Sequence, residues 1–227
     1  IGASSNAAAN LVVQNGATFE YTGANVNIDR NLTLGTGGAT ISVTNAASTL
    51  ATSGGITGAA VTLLKDGPGT LSIGGASTYT GTTTISQGTL IAGNATSFGS
   101  GPLVVNDGST GTNNTALLLG SGVTFANTIQ IANQGTGTST LGTTAGTIQS
   151  TFTGALTLDK DVILQGLNTN IDPTDSDPAG TRFNGVITGV GGVTITGGQM
   201  VQFRVANSKT YGGSTTVTGN SVLSIWN

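Results

Sequence analysis

The chain holds 227 residues, of which only 7% are charged; its net charge is −3, and it has no cysteine and no histidine. Those figures exclude a disulfide framework, a thiolate metal site and a histidine-based hydrolytic triad. They also exclude a disordered chain, which needs low hydrophobicity and high net charge, because mean hydropathy is +0.17.

Valine, isoleucine, leucine and threonine favour strands, and 38 glycines supply tight turns. No window carries apolar residues at helical spacing without a glycine interruption. In chain order the first strand position is Leu32. Leu50 follows eighteen residues later in Ser48-Thr49-Leu50, and Leu71 twenty-one after that in Gly69-Thr70-Leu71-Ser72-Ile73. Leu90 comes nineteen further on, in Gly88-Thr89-Leu90-Ile91-Ala92. A leucine step of about 20 residues per coil predicts a solenoid of about eleven coils, a rod of roughly 50 Å at about 4.8 Å per coil. Within each unit the alternation has a period of two, so that Leu71 and Ile73 share the inner face. The pairs Gly37-Gly38, Gly54-Gly55, Gly74-Gly75, Gly191-Gly192 and Gly197-Gly198 mark corners.

Residues 168–181 break this rhythm and predict a loop excursion. Asp172, Asp175 and Asp177 lie there, with two of the four prolines. Three carboxylates so close together can hold Ca²⁺ through oxygen ligands, the one cofactor the sequence offers; the alternative is a plain solvated loop. Beyond it the earlier pattern returns. Residues 189–195 match residues 67–73, and Thr210–Thr218 match Thr78–Ser86, with ten extra residues between the halves. The whole of 1–227 therefore reads as one β-solenoid segment, with repeat copies near 54–92 and 185–227.

Residues 67–90 carry the pattern GxGTLxIxGxxTYxGxTTIxxGTL. It resembles the passenger-associated transport repeat, also called the autotransporter-associated β-strand repeat. Residues 189–223 resemble it with the ten-residue insertion. The positions that carry the likeness are Gly69, Leu71, Ile73, Tyr79, Gly81, Thr83, Ile85, Gly88 and Leu90 in the first copy. In the second they are Gly191, Val193, Ile195, Tyr211, Gly213, Thr215 and Val217. The resemblance implies the passenger of a type V secretion system, extracellular or attached to the outer membrane of a Gram-negative-type bacterium. The fold expected from step and resemblance together is a right-handed parallel β-helix with Tyr79 and Tyr211 as packing residues.

The function expected is a structural or adhesive surface element without enzyme activity, with cell-surface glycans or matrix as partners. The alternatives are a carbohydrate-active β-helix enzyme using paired Asp residues, or an inert spacer. Most of the nine acids sit beside Gly or Asn in apparent turns, as at Asp66-Gly67 and Asn106-Asp107-Gly108. Six scattered Lys and Arg form no basic stripe, so nucleic acid is not an expected partner. No apolar run reaches about 18 residues, so direct membrane insertion is not expected. Thr-x-Thr pairs recur at irregular steps, which favours ordinary outward-facing strand threonines over a regular ladder. Val222, Leu223, Ile225 and Trp226 form an apolar strand expected to stack on a further turn, supplied by a continuing chain or a second copy.

Overall fold

The computed structural model describes residues 5–167, 180–204 and 209–226. Apart from a single 3₁₀ turn at Ala8–Asn10, every regular element among them is a β-strand. The chain winds as a parallel β-solenoid of about 8 turns, roughly 24 residues to the turn. Three faces result. The first has eight strands, from Thr18–Tyr21 to Ile187–Gly189, and the second has nine, from Val26–Ile28 to Thr215–Val217. The third begins as three strands, Val12–Val13, Leu32–Leu34 and Ile56–Thr57, and resumes as five, from Thr124–Phe125 to Val222–Trp226. Between those two groups the third side is irregular backbone around Ser77 and Ser97.

The turns are longer and fewer than a uniform twenty-residue step predicts. Thr83 pairs with Leu63 and with Leu103, twenty residues to either side. Leu103 pairs with Ile129, Ile129 with Leu156, and Leu156 with Ile187, across twenty-six, twenty-seven and thirty-one residues. A ladder fixes the register of strands, not the length of the corners between them, so corners absorb insertions without breaking a face. About 8 turns at about 4.8 Å each give a rod of roughly 40 Å, not 50 Å. One step of the leucine series is also not a ladder step. Leu50 stacks on Val26 and Leu71 on the second face, whereas Leu32 stacks on Ile56 on the third. Two inward leucines of one turn look alike in the sequence but face the core from different sides.

The interior is built of columns. On the second face Leu50, Leu71, Leu90, Leu117, Leu141, Leu164 and Ile195 stand in register and are buried. All but Leu141, which is followed by buried Gly142, are flanked by half-buried outward residues, the period-two signature of a strand with one wet face. The third face contributes an aromatic column that the sequence reading missed. Phe98, Phe125, Phe152, Phe183 and Phe203 follow one another at centroid distances of 5.8, 6.4, 4.8 and 6.1 Å. Three of the four contacts are edge-on and one, Phe152 on Phe183, is stacked; each is worth about 0.5–1.5 kcal/mol beyond area burial.

Candidate functional site

The repeat positions are structural. Leu71, Ile73, Ile85, Leu90, Val193 and Ile195 are core residues. Gly69, Gly81, Gly88, Gly191 and Gly213 lie where the chain crosses the backbone of the preceding turn. A Cβ at any of them would meet a backbone atom at 2.0–2.5 Å, and Gly88 also needs φ +73°. Tyr79 is buried and shares a hydrogen bond of 2.5 Å with Thr83 Oγ1. Tyr211 repeats that bond at 2.6 Å to Thr215 Oγ1, but half-exposed. The two copies stand one face apart. Thr83–Ile85 lies on the first face, and Thr215–Val217 on the second. The residues inserted in the second copy form the third-face strand Met200–Arg204, which advances the chain by one side before the tyrosine arrives.

On the outermost described turn Val217, Val222 and Ile225 are exposed, Ile225 by 64%. Leu223 packs partly against the core, and Trp226 lies under the Arg204 guanidinium at 5.7 Å. The candidate calcium ligands Asp172, Asp175 and Asp177 lie outside the described residues.

Three acids among the described residues tie neighbouring segments together. Asp161 accepts a hydrogen bond from the Gly192 amide at 2.6 Å, Asp159 one from Gln130 Nε2 at 2.6 Å, and Asp107 one from Thr110 Oγ1 at 3.1 Å. No three acids among those residues come together as a metal-binding group.

The lysines serve corners as well, and this was not read from the sequence. Lys65 occupies an inward position between Ile41 and Ile85 and is fully buried. Its ammonium donates to the carbonyls of Asp66 (2.8 Å), Gly67 (2.7 Å) and, one turn on, Gln87 (3.0 Å). Burial lowers its pKa to about 8, a shift partly offset by the Asp66 carboxylate. Lys160 Nζ donates to the carbonyls of Gly135 and Gly137 at 2.7 and 2.6 Å, where buried Asn106 also accepts from the Gly135 amide. Lys209 Nζ donates to the Gly185 carbonyl at 2.6 Å. All three lysines of the chain thus fasten glycine-rich corners. The signal was present at Lys65, which breaks an otherwise apolar inward alternation after Leu63.

One concavity stands apart from these fastenings. At the corner between first and second faces, on the outside, a groove of about 380 Å³ crosses four turns, with Pro68 on its rim. Gln87 to Thr89 form one wall, Asn114 to Ala116 the middle, and Thr138 and Thr140 the other wall. It lies where the turns widen. The turn through Thr83 runs corner to strand in Ser86-Gln87-Gly88, whereas the next inserts residues 107–114 and the one after it 132–138. The outward column here reads Thr49, Thr70, Thr89, Ala116, Thr140, Ile163, Thr194, Thr216. The threonines form a far more regular column than their sequence steps suggest, and Ala116 is the dip in it.

The passenger-associated-transport-repeat family model matches residues 63–92, from the first-face strand Leu63–Asp66 to the second-face strand Gly88–Ala92. Over 219 residues the chain is 34% identical to the adhesin BmaC autotransporter of Brucella suis biovar 1 (strain 1330), a match that covers 96% of this chain. The two matches support an autotransporter passenger region that carries this repeat. It spans about 6% of the length of that relative. No solved structure matches it. The repeat match falls in the narrow stretch with twenty-residue first-face steps and takes in one wall of the groove, Gln87 to Thr89.

Proposed function

We propose that this passenger is a non-catalytic, rigid rod at the bacterial surface whose sides serve adhesion. The observation that carries the reading is the pair of unbroken parallel ladders, eight and nine strands long, that run the length of the described chain. A stack so continuous has no hinge and holds its lateral residues at fixed spacing. Of the six acids among the described residues, Asp107, Asp159 and Asp161 are taken up by backbone amides, an amide side chain or a hydroxyl, and Asp29 lies 3.7 Å from Arg30, which speaks against a converging carboxylate pair. The relative that shares nearly the whole chain is an adhesin by name, in agreement with this reading.

The test is attachment. Beads coated with the chain are expected to hold to epithelial cells or to a matrix coat, and to release no product from polysaccharide or ester substrates. Failure to attach to any such surface removes the adhesive part. Turnover that disappears on a single Asp→Asn change removes the non-catalytic part.

A further inference from the structure

We propose that the groove across Gln87–Thr89, Asn114–Ala116 and Thr138–Thr140 is a binding subsite for a neutral, hydroxyl-rich saccharide chain. The inference rests on the adhesive reading above and gives it a place and a ligand class.

Three observations carry it. The first is shape. Gly88 and Ala116 leave the floor low, while the corner residues on either side of the step in turn length raise the walls, and the space of about 380 Å³ falls in the range of roughly 300–1,000 Å³ usual for ligand sites.

The second is unspent hydrogen-bonding capacity. Asn114 uses its Oδ1 on the amide and hydroxyl of Thr138, both at 2.9 Å, and Gln87 uses its Nε2 on Asn113 Oδ1 at 3.1 Å. Asn114 Nδ2, Gln87 Oε1 and the hydroxyls of Thr89 and Thr140 make no bond to the described residues, and all four belong to residues that line the groove. Each amide is therefore held by one end with the other end offered outward, an arrangement that suits alternating donor and acceptor hydroxyls.

The third is charge. No ionisable side chain lines the groove, and Lys65, just behind its wall, is turned inward and spends its ammonium on carbonyls. Nothing there would reward an anionic ligand. A peptide is disfavoured on separate grounds. Strand addition needs an open ladder edge, and both Gly88–Ala92 and Thr115–Leu119 are paired on each side. Nor is there a large apolar side chain to anchor one, Pro68 being the largest apolar residue in the lining.

The experiment is a titration of the isotope-labelled chain, read by amide NMR. The probes are cellohexaose, maltohexaose and chitohexaose, with a heparin hexasaccharide as the anionic control. At least one neutral probe is expected to give saturable shifts at residues 87–89, 114–116 and 138–140, and heparin none there. Ala116→Tyr fills the dip from the outer face and is expected to weaken binding at least about tenfold. The double variant Thr89→Val/Thr140→Val removes two hydroxyls without adding bulk and is expected to weaken it about threefold or more. Absence of shifts in the groove with every neutral probe up to about 10 mM overturns the proposal, since that is weaker than any useful contact. So does binding that both variants leave unchanged, or a preference for heparin. If coated beads attach to cells and the Ala116→Tyr form attaches equally well, only the groove is lost. If beads attach to nothing, the adhesive reading is lost, and the titration still decides the groove.

Discussion

Two stretches of this rod build the same ladder at different girth. From Leu63 to Leu103 the first-face partners are twenty residues apart, and the third side is irregular. From Leu103 to Ile187 they are twenty-six to thirty-one apart, and the third side is a true sheet. The narrow stretch closes its third side with buried hydroxyls. Ser77 Oγ accepts from the Ile56 amide and donates to the Ser97 carbonyl, while Ser97 Oγ donates to the Ile73 carbonyl, all within 2.7–2.8 Å. The wide stretch closes it with paired strands and phenylalanine rings. Backbone satisfaction is required in both, because a buried unpaired amide or carbonyl is costly. Side-chain hydroxyls meet that requirement where the turn is too tight for a third strand. Girth is thus a property of the corners, and the place where girth changes is where a concavity forms.

The largest effect expected from this contrast is at the aromatic column. Phe152 packs between Phe125 and Phe183, and Phe152→Ala is expected to destabilise the chain by about 3–5 kcal/mol in urea unfolding. A loss below about 1 kcal/mol would mean that the ladders alone hold the wide stretch, and the distinction between two modes of closure would collapse.

Next in size is the titration of Lys65, which fastens the corner of the narrow stretch. Its folded pKa of about 8 lies below the ordinary value of 10.5. Between those values the unfolded chain binds more protons, so stability rises with pH through that window and is lost again as pH falls to about 8. The gain from this one group is about 3 kcal/mol at most. Buried Tyr79, whose pKa burial pushes up, acts in the opposite sense above about pH 10, where the unfolded tyrosine ionises first. Unfolding midpoints measured between about pH 7.5 and 9.5 therefore isolate the lysines. Lys65→Met is expected to flatten most of the rise and leave the share of Lys209, whose pKa burial also lowers. A slope unchanged by Lys65→Met would show that the ammonium is solvated, and that the narrow corner is not dry.

How much of this was legible follows from what repeats and what does not. The all-β class, the parallel coil and the inward leucines could be read because Leu50, Leu71 and Leu90 recur in register at nearly constant spacing. The phenylalanine column could not, because its members are separated by twenty to thirty-one residues, depending on the corner each turn carries. The shift of the second tyrosine copy by one face was hidden for a similar reason. A matched motif reports local conformation, and local conformation was kept: each tyrosine bonds the threonine four residues on. Which side of the rod it serves depends on how many strands intervene. The groove was beyond reach because its lining comes from four successive turns, and only the ladder register brings Thr89, Ala116 and Thr140 side by side.

The smallest effect turns that last contrast into a measurement. Tyr79 and Tyr211 make the same hydrogen bond four residues along, one in the core of the narrow stretch and one on the outermost described turn. Tyr79→Phe removes a hydroxyl whose partner, Thr83 Oγ1, is fully buried and then has no other donor or acceptor in the bonds it makes. The expected loss is the desolvation of that stranded oxygen, about 1–3 kcal/mol. Tyr211→Phe removes the same bond where Thr215 is exposed, so water takes the vacated place and the change stays within about 0.5 kcal/mol. Both are read as shifts of the urea midpoint at constant m-value, which keeps the comparison free of changes in the unfolded chain. Equal losses at the two sites would mean that the motif itself carries the energy wherever it sits. A loss confined to Tyr79 would mean that burial carries it, and that the repeat contributes stability only where the turns stack closely enough to exclude water.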